Sequence, residues 1–199
     1  MLNHYPFSNI GTRTSSEGTQ SRVFKFTADP HFVYNVEFTE REHDFVEVTF
    51  YLARDISSND VVKYGRMVGV KNPMKVLNTV VVIAKEFLDR FKPHSNFIFL
   101  GFPRPQRESS LTITKRFVVY GLLAAKYFNP STWKHYNSEE TSIYLLQNPN
   151  SEINKTQLEG VYNHYKAFVL FVISNKHSAC CSFEIFMISW NITSTNIKL

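Results

Sequence analysis

The stretch "VKNPMKVLNTVVVIAKEFLDRFKP", Val70 to Pro93, decides the fold, because the apolar period changes there. Met74, Leu77, Val81, Ala84, Leu88 and Phe91 recur at three- and four-residue intervals, one face of a helix. Asn72 suits the N-cap, where its side chain can accept from an unpaired N–H. Pro73 suits the first helical position, where its missing N–H costs nothing. Pro93 stops the pattern.

Upstream the period is two. "RVFKFTA" (22–28), "FVYNVEFT" (32–39) and "FVEVTFYLAR" (45–54) alternate apolar with polar residues, and "VVKYGRMVG" (61–69) is read as the last strand of the series. The links are short and polar, so neighbouring strands are expected to run antiparallel, as a four-strand meander with one face covered.

Downstream, "NFIFLG" (96–101) is a short continuous apolar run, the mark of a strand buried on both faces. "GFPRPQRESSLTITKRFVVYGLLAAKYF" (101–128) begins as a loop and becomes a helix, with Ser109 or Ser110 as its cap. "NPSTWKHYNSEE" (129–140) reads as a connection and "TSIYLLQ" (141–147) as another strand. "NPNSEINKTQ" reads as a linker. Helical spacing returns from Leu158 to Val172, followed by a strand-like "CSFEIFMISW". The expected fold class is α+β: a mixed, mostly antiparallel sheet, four strands then α-β-α-β, with two packed helices and a C-terminal helix/strand extension. The expected division is a flexible N-terminal arm (1–21), a core (22–148) and the extension (149–199).

Composition narrows the function classes. With 43% hydrophobic and 20% charged residues, 199 residues suffice for a packed soluble core, and 18 Phe and 10 Tyr make its packing aromatic. The only cysteines, Cys180 and Cys181, are adjacent, which gives no disulfide framework. The seven histidines show no metal-ligand spacing, so no metal and no cofactor is expected. The N-terminus lacks an apolar secretory run. The apolar segment 167–190 is broken by Asn175, Lys176, His177 and Glu184, which argues against a membrane span.

A net charge of +5 keeps a phosphate-rich partner open without requiring one. The basic residues Arg104, Arg107, Lys115 and Arg116 converge on one Pro-bracketed loop and helix start. Proline restricts that backbone and spares ordering entropy on binding. Two readings stay open: a grip for an anionic partner, nucleic acid or nucleotide included, or a solvated loop. Lys71 and Asn72, at the turn before the first long helix, are also candidate binding residues.

The order of four antiparallel strands, helix, central strand, second helix and strand resembles the core of the GNAT acyltransferase superfamily. More narrowly, Gly69 and Asn72, then Val76, Thr79 and Val80, then "FIFLG", then Arg116, Tyr120 and Leu123 resemble a group of small proteins from tailed-phage genomes. The phage resemblance implies a host-cytoplasmic or virion protein but carries no assigned activity. The acyltransferase resemblance implies a cofactor-phosphate turn before the first long helix and a general-acid tyrosine at Tyr120, a residue that by itself reads first as a ring packed on the second helix. "VGVKNPMKV" departs from the phosphate turn, with one glycine and a proline where several N–H donors are needed. Glu37, Glu40, Glu42, Asp44 and Glu47 would be the candidate bases. The leading expectation is therefore a non-catalytic phage protein acting through protein contacts, as a virion component or host-interaction factor. An acyltransferase-like enzyme, intact or degenerate, is the alternative.

Overall fold

A computed structural model describes residues 3–15, 18–29, 31–58, 60–65, 69–101, 115–139 and 141–174. Within them the chain is a mostly antiparallel seven-stranded sheet with four α-helices. The strands are β1 (Phe7–Thr14), β2 (Gln20–Asp29), β3 (Phe32–Glu40), β4 (Phe45–Leu52), β5 (Asn96–Leu100), β6 (Lys134–Ser138) and β7 (Ile143–Gln147). The helices are α1 (Asp60–Gly65), α2 (Pro73–Arg90), α3 (Lys115–Tyr127) and α4 (Lys155–Ser174). Across the sheet the order is β1-β2-β3-β4-β5-β7-β6, and every neighbouring pair is antiparallel except β4 with β5.

The alternating strands deliver two faces. On one, Phe24, Val36, Phe38, Val46, Val48 and Phe97 meet α2 and α3 in a single core. Phe38 stacks on Phe87 of α2 with ring centroids 4.4 Å apart, and Phe97 lies parallel to Trp133 at 6.3 Å. Fully buried phenylalanines each contribute about 1.5–3 kcal/mol of transfer free energy, so these rings anchor the helices. α2 starts as its residues dictate: Asn72 Oδ1 accepts from the Lys75 N–H at 3.1 Å, and Pro73 opens the first turn. Gly121 lets α3 close on β7, because a Cβ there would sit 3.1 Å from the Tyr144 ring.

The opposite face carries a second, smaller core. Phe45, Ile98, Ile143 and Leu145 pack against Leu158 and Tyr165 of α4. The segment leading into α4 is tied down. Asn148 donates to the carbonyls of Pro93 and Ser95, and its own N–H is held by Asn96 Oδ1 at 2.9 Å. Asn154 and Gln157 then exchange side-chain-to-backbone bonds at 3.0 Å, a reciprocal cap for α4.

Three sequence expectations need correction. Residues 7–14 are not a flexible arm but the edge strand β1, paired with β2 from Phe7↔Phe26 to Thr14↔Gln20. Apart from half-buried Phe7 and Arg13 its residues are exposed, so β1 carries no apolar alternation, and a bulge between Asn9 and Gly11 places Gly11 at φ 109°. The segment 61–69, expected as a strand, is helical over residues 61–65, which belong to α1. β5, not that segment, is the strand paired with β4, at Phe45 to Glu47. The expected connection 129–140 contains β6, a polar edge strand on β7. The strand-like 181–190, the vicinal cysteines and the Ser109/Ser110 cap lie outside the described residues. No helix among the described residues is long and apolar enough to cross a membrane.

Candidate functional site

The parallel pair is where the sheet opens. β4 and β5 are joined through three residue pairs only, Phe45↔Asn96, Val46↔Phe97 and Glu47↔Ile98. Beyond them β4 continues to Leu52 along β3, while Phe99 and Leu100 of β5 follow β7. Into the parting opens a cavity of about 70 Å³, lined by Phe50 and Phe99 from the strands, Leu77 and Val81 from α2, and Tyr120 and Phe128 at α3.

The chemistry of this cleft is apolar. Its polar side chains among the described residues are three hydroxyls, on Thr49, Tyr64 and Tyr120. Tyr120 meets Phe50 edge-on at 6.1 Å, an arrangement that favours aromatic pairing. An engineered apolar cavity of about 150 Å³ holds benzene, so a space half as large suits a group of about three carbons.

The carboxylates considered as bases point elsewhere. Glu37 accepts from Arg13 at 2.7 Å and from the Tyr51 hydroxyl at 2.5 Å, with Lys63 at 3.9 Å. Burial, with Glu37 second, holds the Tyr51 phenol well above its usual pKa. Glu47 lies on the α4 side, where its Oε2 accepts from Arg41 Nη2 at 2.7 Å and from the Tyr165 hydroxyl at 3.2 Å. Burial would pull the Arg41 guanidinium down, yet Glu47 and Tyr165 hold it above its usual range. Burial and then Glu47 push the Tyr165 phenol far up. Glu40 pairs with Lys92 at 3.0 Å, and Glu42 and Asp44 sit on the exposed turn between β3 and β4.

Of the candidate binding residues whose side chains are described, the cleft receives Tyr120 and neither Lys71 nor Asn72. Asn72 is occupied as the cap of α2, and Lys71 is exposed on the turn before it. Lys115 and Arg116 open α3, with side chains outside the described set, and Arg104 and Arg107 lie outside the described residues altogether. Sequence reasoning missed Phe50 and Phe99, because an apolar residue beside a cleft has the same pattern as one in a closed core. His135, one of the scattered histidines, is structural: it bridges the Tyr144 hydroxyl and the Phe128 carbonyl at 2.7 Å each. Burial raises the Tyr144 phenol above its usual pKa. Among the described residues no group of three or more His, Cys, Asp or Glu side chains is placed to hold a metal ion. No protein-family model, curated protein or solved structure matches the chain.

Proposed function

We propose that the protein works by contact, receiving an extended apolar segment of a partner protein in the cleft between β4 and β5. The observation that carries this reading is the early parting of the two strands. From Val48 to Leu52, no described strand lies along the β5 side of β4. Unspent N–H and C=O groups on such an edge are a template for an added strand, while a neighbouring apolar cavity gives one side chain a place to bury. A short aliphatic side chain fits the 70 Å³ available. In this reading the partner is a virion or host protein, the setting that the phage resemblance implies. A photoreactive residue in place of Tyr120, followed by crosslinking mass spectrometry on virions and host extract, tests it. A single partner peptide attached at that position supports the reading, and the absence of any adduct in both samples rejects it.

One observation favours an acyltransferase-like scaffold as the second reading. Of the order that the resemblance implies, β2–β4, α2, β5, α3 and β7 have counterparts and the fourth strand expected at 61–69 does not, while the cleft lies at the only parallel pair among the described strands. The turn before α2 counts against a cofactor pyrophosphate there. Pro73 offers no donor, and the Lys75 N–H is already taken by Asn72. Calorimetry separates the two: acetyl-CoA binding in the low micromolar range would promote the enzyme reading, and a millimolar signal would not.

A further inference from the structure

On the sheet face away from the cleft, a groove of about 740 Å³ separates the first half of α4 from two turns of the sheet. The β1–β2 turn contributes Thr19, the β3–β4 turn Glu42 and His43, and α4 Gln157, Gly160 and His164. We propose that this groove binds an organic cation carrying N–H donors, an alkylammonium or guanidinium group.

The first support is a glycine that no described neighbour requires. Gly160 lies in the interior of α4, where glycine weakens a helix relative to alanine. It has no positive φ, and no described atom lies within 4 Å of where its Cβ would be. No described side chain or backbone demands the missing methyl, and Gly160 lines the groove.

Charge selects the ligand. Among the described lining residues Arg41 is the one Lys or Arg, and both its Nε and Nη2 are spent on Glu47, at 3.1 and 2.7 Å. An anion would therefore find no uncommitted Lys or Arg among the described lining residues. Lys92 balances Glu40, which leaves Glu42 as a lining carboxylate with no ion pair or hydrogen bond from a described residue. His164 stands on the opposite wall. Burial, then Arg41, holds its imidazole below the usual pKa, so at neutral pH the ring adds no positive charge. The turn opposite α4 is held in an unusual shape, with His43 and Asp44 both at positive φ and the His43 ring 3.3 Å from Gln157. A preformed wall with acceptors and, among its described residues, no uncommitted Lys or Arg suits a donor-bearing cation.

The test is calorimetric titration of the full chain at pH 7.5 with agmatine, with Nα-acetyl-lysinamide, and with butyrate as the charge-reversed control. At least one cation is expected to bind saturably with a Kd below about 1 mM, and butyrate not to bind. Tighter agmatine binding identifies a free small cation as the source; tighter lysinamide binding identifies a protein side chain. Glu42→Gln is expected to weaken cation binding at least about tenfold, and Gly160→Ala to weaken it while raising the melting temperature, since alanine is the better helix former. The rise in melting temperature separates lost binding from lost folding. Saturable butyrate binding, no saturation by either cation, or unchanged affinity in Glu42→Gln would each overturn the proposal.

Discussion

The Tyr165 hydroxyl donates to Oε2 of Glu47 at 3.2 Å across 118 residues of chain, and Arg41 grips the same oxygen at 2.7 Å. Both charged side chains are nearly sealed, at 15% and 10% exposure, so the pair depends on its completeness. Glu47→Ala strands a buried guanidinium, and urea denaturation is expected to show a loss of about 3–5 kcal/mol. Tyr165→Phe removes one bond to a charged acceptor and is expected to cost about 1.5–3 kcal/mol. Equal losses in the two variants would mean that α4, not the ion pair, carries the effect.

Alkaline pH is expected to destabilise the fold through Tyr51 and Tyr165. Both phenols are held above their ordinary value in the folded chain. Below the unfolded pKa near 10 both states keep the proton and the stability is fully present. As pH rises past about 10 the unfolded chain ionises first, so stability falls toward the raised folded values. Urea midpoints between pH 9 and pH 12 are expected to decline, and Tyr51→Phe to decline less steeply.

Acid acts through His164. Its folded pKa is lowered by burial and by Arg41, against Glu42 and Glu47. Above about pH 6.5 both states are neutral; below it the unfolded chain takes the proton first, so stability drops until the folded ring titrates as well. The melting temperature is expected to fall between pH 7 and pH 5, and His164→Gln to flatten that part of the curve.

Asn72 is expected to behave as a cap. Asn72→Ala leaves the Lys75 N–H without its acceptor and should cost about 1 kcal/mol in thermal or urea unfolding. Asn72→Asp, which keeps the accepting oxygen at a helix N-terminus, should restore stability. A binding role for Asn72 would instead appear as lost partner affinity in a variant of unchanged stability.

The sequence by itself determined the elements that bury one face. β2, β3 and β4 alternate because one side meets α2 and α3. α2 shows its three-and-four spacing because it lies on that sheet, and Asn72 and Pro73 mark its start from local chemistry alone. β5 reads as a continuous apolar run because Phe97 enters one core and Ile98 the other. Only the tertiary structure decided the edges. β1 and β6 are polar strands made by hydrogen bonding to a neighbour, and a backbone bond leaves no side-chain period to read. The candidate site belongs to the same class. Phe50 and Phe99 look like core residues, and nothing local records that β4 and β5 part after Glu47 and Ile98. Arg41, Glu47 and Tyr165 meet for the same reason: α4 docks on the face left open by the sheet, and long-range docking depends on which faces remain uncovered after the strands have paired.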